Sequence, residues 1–75
     1  MTKKSEIDGI RSVIEAIKSS NDIDKVFIQK GLKGNLIGQL ESLIRKNKIN
    51  FSYVPVEKLN RLSKKNHQGV IARIS

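Results

Sequence analysis

Ile10, Val13, Ile14 and Ile17 recur at three- and four-residue spacing, which lines them along one stripe of a helix. Asp8 stands where a helix N-cap is wanted and Ser19-Ser20-Asn21-Asp22 supplies a stop, so the pattern predicts a first helix within DGIRSVIEAIKSSND. KVFIQ (25–29) is β-branched and aromatic, too short for a helix, and followed by KGLKGN with its two glycines; it reads as a buried strand leading into a loop. Leu36, Ile37, Leu40, Leu43 and Ile44 restore the helical period, and the basic turn Arg45-Lys46-Asn47-Lys48 suits the negative end of that helix. Gly38 lies inside it, where it costs about 1 kcal/mol relative to Ala, and close packing is the expected reason.

Ile49, Phe51 and Tyr53 alternate, so INFSYV is a second strand, which Pro55 ends by removing a backbone donor. Val56, Leu59 and Leu62 line a short third helix, and GVIARIS carries Val70, Ala72 and Ile74 on one face of a last strand. Strand, helix, strand, helix, strand is the pattern of a layered α/β domain, for which crossovers predict a largely parallel sheet. MTKKSE (1–6) has no apolar period and reads as a frayed lead-in, leaving a single domain over 7–75. The chain stops directly after its last strand, as a domain cut from a longer protein would.

Composition narrows the function. Seventy-five residues without cysteine, and with one histidine, offer neither a disulfide framework nor a transition-metal site. No apolar run approaches the roughly 20 residues that span a bilayer, and the start lacks the apolar core of a secretory signal, so a cytoplasmic protein with no membrane partner is expected. Fifteen Lys and Arg against seven Asp and Glu give a net charge of +8, which favours a polyanionic partner, nucleic acid foremost. The charge is concentrated: Arg45, Lys46, Lys48, Lys58, Arg61, Lys64 and Lys65 fall within 45–65 against one acid, Glu57.

Two segments carry candidate chemistry. QKGLKGN (29–35) joins a strand to a helix, so its backbone N–H groups and the helix dipole suit a phosphate, with Lys30 and Lys33 beside it. Its spacing is that of neither a P-loop nor a dinucleotide fingerprint. In KLNRLSKKNHQG (58–69), positions 58, 61 and 65 form a basic ridge that runs through Lys64 into Asn66, His67 and Gln68, whose side chains suit bases or a ribose hydroxyl. His67 has the residue type of a general base, but no nucleophile context accompanies it, and a turn residue or an RNA contact is the stronger reading. Of the aromatic residues, all placed in strands, only Tyr53 is a candidate for base stacking.

GIRSVIEAI (9–17), IDKVFIQKGLKG (23–34) and VPVEKLNRLSKKNHQGVIARIS (54–75) together resemble the N-terminal substrate-binding domain of the SpoU, or TrmH, family of RNA 2′-O-ribose methyltransferases. The run from Pro55 to Val70 is its most specific part. The resemblance implies a small three-layer α/β/α sandwich akin to the kink-turn-binding ribosomal proteins. It also implies a role in presenting ribosomal or transfer RNA, with ribosomal RNA the expected one of the two, to a separate knotted domain that binds S-adenosylmethionine and transfers the methyl group. Gly34-Asn35 matches the Gly-Asn step of those binders, whereas Leu36 stands in place of their acid and kink-turn specificity is not implied. Asp8 and Arg11 depart from the family's pattern near the start, and Arg11 adds a charge facing RNA.

The expected RNA-binding set is therefore Arg11, Lys30, Lys33, Asn35, Arg61, Lys64, Lys65, Asn66, His67 and Gln68, with no catalytic or metal-binding residue and no cofactor in this chain. The isolated chain is expected to be a monomer and its parent a homodimer. A competing reading makes the domain an interaction module that docks on its own catalytic domain or on a ribosomal protein. A free-standing enzyme is the weakest reading.

Overall fold

The computed structural model describes residues 5–19, 22–64 and 66–74. Seven elements follow one another: β1 (Ser5–Asp8), α1 (Ile10–Lys18), β2 (Ile23–Gln29), α2 (Asn35–Lys46), β3 (Phe51–Val54), α3 (Val56–Leu62) and β4 (Val70–Ile74). The strands form one sheet in the order β1-β4-β2-β3. The expected stop at Ser20 and Asn21, like Met1 to Lys4 of the lead-in, lies outside the described residues.

The sheet is mixed, which corrects the largely parallel arrangement expected from the order of elements. Only the β2–β3 neighbours pair in parallel, while β4, lying between β1 and β2, runs antiparallel to both. The reason is where each connection ends. The α2 connection carries the chain back along the sheet, as a parallel pair requires. The shorter α3 connection crosses the strands instead: Leu59 packs on Phe27, Val54 and Ile71, and Ser63 reaches Asp8 at the far edge strand. It delivers β4 at the end of the sheet where β3 left it, so β4 must run the other way.

Alternation along β2 and β4 builds two cores. Val26, Ile28, Val70 and Ala72 face α1 and α2, where Val13, Ile14, Ile17, Ile37, Leu40 and Ile44 close the main core. Phe27 and Ile71 face the opposite way and meet Leu59, Val54 and Leu62 in a smaller core under α3. Helices thus cover both faces of the sheet, in three layers. Val70, Ile71 and Ala72 are all buried because their strand is central and covered on both sides.

β1 is a strand where a frayed lead-in was expected. Ile7 is its one large apolar residue, too little for a periodic signal, and its pairing with β4 from Ser5↔Ile74 to Asp8↔Ile71 supplies the rest. Asp8 consequently does not cap α1: it remains in the strand and its carboxylate accepts the Ser63 hydroxyl at 2.9 Å. Gly9 takes the cap position with φ 99°, a conformation open to glycine. Gly38 is exposed, with nothing within 4 Å of where a Cβ would stand, so close packing is not its role.

α2 ends where Asn47 Nδ2 donates to the Leu43 carbonyl at 2.8 Å and Lys48 turns left-handed at φ 54°. That turn brings in β3, whose first paired residue is Phe51 rather than Ile49.

Gly69 is the position on which the entry of β4 depends. Its φ is 82°, its carbonyl accepts the Gln29 N–H at 2.8 Å, and an added Cβ would stand 2.6 Å from Leu32 Cδ1 and 3.3 Å from Gln29 Cβ. A left-handed L-residue costs about 1–2 kcal/mol before any clash. Gly69→Ala is therefore expected to lower the stability by about 2 kcal/mol, read as a lower urea midpoint with unchanged slope. Gly38→Ala, on an open helix face, is expected to raise the midpoint.

Candidate nucleic-acid interface

β1, β2 and β3 all finish at the end of the sheet where β4 begins, and backbone bonds tie these chain ends together. Gly9 N–H donates to the Val70 carbonyl at 2.9 Å, and Lys30 N–H to the Val54 carbonyl at 2.9 Å. Both α1 and α2 start from this end, from Gly9 and Gly34. Neither helix has a side-chain cap or an acid in its first turn. Their first turns thus carry no acid to offset the positive helix end, while Lys18, Arg45 and Lys46 complement the opposite ends.

Five of the ten expected contact residues, Arg11, Lys30, Lys33, Asn35 and Gln68, stand at this edge. Lys30, Lys33 and Asn35 are exposed in the loop and at the first residue of α2. Arg11, exposed on the first turn of α1, lines a shallow groove of about 250 Å³ with Leu36 of the first turn of α2. Gln68 is exposed, and its Oε1 would lie 3.4 Å from a Cβ on Gly9, which places it over the start of α1. Asn66 and Lys64 are exposed in the same connection and Arg61 is exposed on α3. Lys65 lies outside the described residues. Lys58 leaves the expected ridge: its ammonium sits 5.8 Å from the Phe27 ring centre.

His67 does not belong with the contact residues. It is only 8% exposed, its Nδ1 accepts the Gly69 N–H at 2.9 Å, and its Nε2 lies 2.7 Å from Asn60 Oδ1. Acceptance at Nδ1 leaves the proton on Nε2, which donates to Asn60. With both nitrogens engaged inside the chain, the ring braces the turn into β4 and is closed to a ligand. Asn60, its partner, carried no signal of its own beyond lying two turns upstream.

The aromatic residues divide by strand. Phe27 is buried, whereas Phe51 and Tyr53 are 36% and 44% exposed on the edge strand β3, their rings edge to face at 5.5 Å. The Tyr53 hydroxyl donates to Glu41 Oε2 on α2 at 2.6 Å. That bond to a carboxylate, followed by burial and the Glu41 charge, raises the phenol above its ordinary pKa, against a smaller opposing effect of Arg45. Phe51 escaped notice in the sequence because its strand pattern resembles that of a buried one.

A four-stranded α/β domain with lysines and two uncapped helix N-termini along one edge has the surface of a recognition domain. Comparison with known proteins names it further. The profile described as RNA 2′-O ribose methyltransferase substrate binding matches residues 7–75, and the chain belongs to this SpoU/TrmH substrate-binding family. It is 41% identical over 69 residues to a protein of Staphylococcus saprophyticus, 36% to one of Staphylococcus haemolyticus and 38% to one of Staphylococcus aureus, each named as a TrmH family tRNA/rRNA methyltransferase. Each match covers 92% of this chain but only 28% of the relative, so the chain spans little more than a quarter of their length.

Two outcomes follow from the side-chain bonds. His67→Ala leaves the Gly69 N–H without its partner and is expected to cost about 1–3 kcal/mol in denaturant unfolding, with RNA affinity of the folded protein unchanged. Tyr53, the single tyrosine, is expected to ionise above the usual phenol range in an ultraviolet titration, and Glu41→Gln to bring it back down. The raised pKa means the stability contributed by this bond is present below the ordinary phenol range and is lost as pH rises through the folded value.

Proposed function

We propose that this domain recognises ribosomal RNA for an S-adenosylmethionine-dependent 2′-O-ribose methyltransferase, cytoplasmic and homodimeric as a parent, monomeric as this chain. Lys30, Lys33, Arg61, Lys64 and Lys65 hold phosphates, Arg11 adds a charge beside them, and Asn35, Asn66 and Gln68 contact bases or ribose. The observation that carries the reading is the gathering of separate loops and two uncapped helix N-termini at one end of the sheet. Lysine and arginine there release counterions from a phosphate backbone, and the exposed amides discriminate locally.

Methyl transfer is assigned to the part of the parent that lies outside this domain, because the profile that matches residues 7–75 is one of substrate binding.

A second reading, docking on the parent's catalytic domain or on a ribosomal protein, draws on the Phe51–Tyr53 pair along an edge strand whose outer side is unpaired. NMR shift mapping separates the two. RNA perturbs 30–35, 61–64, 66 and 68 in the first, and only added protein perturbs the chain, around Phe51 and Tyr53, in the second.

For the RNA reading, log affinity for a ribosomal RNA fragment is expected to fall by about 0.7–0.9 per tenfold rise in salt for each phosphate held. Reversing Lys30, Lys33, Arg61 and Lys64 to Glu is expected to lower affinity more than about tenfold at 100 mM salt. A flat salt profile, or wild-type affinity in that variant, rejects the reading.

A further inference from the structure

Three cations from three different elements meet around one ring. Lys25 Nζ of β2 is 5.3 Å, Arg73 Cζ of β4 is 5.4 Å and Lys58 Nζ of α3 is 5.8 Å from the centre of Phe27. Lys25 and Arg73 are also direct cross-strand partners. Like charges placed opposite each other in a sheet destabilise it. Among the described residues none of the three makes an ion pair with a carboxylate, although Glu6 stands opposite Arg73 on its other side. The negative face of the Phe27 ring offsets this charge only in part.

The place of the cluster in the fold decides what it suits. α3 crosses the strands at the loop end and covers Phe27, Val54 and Ile71. Two residues farther along each strand, Lys25 and Arg73 lie beyond that cover, half-buried on the same face. Lys58 reaches towards them from α3, and Arg61 is exposed in the last turn of the same short helix. A basic track therefore runs from the sheet end over α3 and onto the open sheet face.

We propose that Lys25, Lys58 and Arg73 form a second RNA contact, which holds phosphates of the same substrate strand after it has passed the loop edge. This rests on the RNA reading above and gives it a path. An RNA backbone fits because it brings successive negative charges along a line, where the three cations have Glu6 as the one acid in register with them. The contact carries no base selectivity; it lengthens the footprint.

The test uses the whole chain with two fluorescent RNAs, a hairpin of about 12 nucleotides and the same hairpin with a single-stranded extension of about 15. Lys25→Gln/Lys58→Gln/Arg73→Gln is expected to weaken binding of the extended RNA at least tenfold. Its salt slope should fall by about 2, with the short hairpin little affected. The charge-keeping variant Lys25→Arg/Lys58→Arg/Arg73→Lys should restore the slope. Should the neutral triple fail to fold by circular dichroism, Lys58→Gln alone is read instead, with a slope lower by about 0.7–0.9.

A neutral variant that binds the extended RNA like the wild type overturns this inference and leaves the loop edge standing. So does a cluster whose NMR signals respond to polyglutamate but not to RNA, which marks an acidic protein partner. Wild-type binding that ignores salt for both RNAs removes the RNA reading altogether, and this contact with it.

Discussion

β4 occupies the middle of the sheet and runs antiparallel to both neighbours, so the chain must enter it through a turn at a crowded end. Glycine at 69 meets both demands of that turn, a left-handed backbone and a gap too small for a Cβ beside Leu32 and Gln29. The His67 ring then takes the Gly69 N–H, and Asn60 of α3 holds the ring from its other side. Registers of β1 and β2 are both read from β4, so an error in this turn would displace both and would scatter the loops that share its edge.

The same constraint explains where charge can gather. Because the strands that leave the sheet do so at the end where β4 begins, the starts of α1 and α2 and the loops around them are brought together. Their dipoles add to the lysines there instead of opposing them. Acids are absent from the first turns of both helices. A domain built for stability alone would place them there; leaving those amides open keeps the edge attractive to anions.

α3 divides the opposite face. Its seven residues suffice to cover Phe27, Val54 and Ile71, and no more. What remains open is a sheet face on which alternation brings basic side chains outward next to core ones, with Phe27 serving both. A larger domain would cover that face with another helix. Here a small core and an exposed basic surface are two consequences of one short helix, which is economical for a recognition module that makes up little more than a quarter of its relatives' length.

The three helices and the strands β2, β3 and β4 were legible in the chain because each carries its own period, and Pro55, Gly31 and Gly34 mark the breaks. The basic composition and the run from Pro55 to Val70 pointed to RNA recognition before any coordinate, and the family match agrees. β1 was not legible, since four residues with one large apolar side chain become a strand only by pairing with a partner more than sixty positions away. That pairing also took Asp8 from the helix cap and gave it to Ser63.

Strand direction, the fate of His67 and the meeting of Lys25 with Arg73 were likewise decided by tertiary structure. Periodicity describes which face of an element is apolar, and it is blind to which end a connection returns to or what stands across the next strand. Local sequence thus determined the elements and the kind of partner, while the long-range pairing of β4 determined which polar groups remain free to meet it.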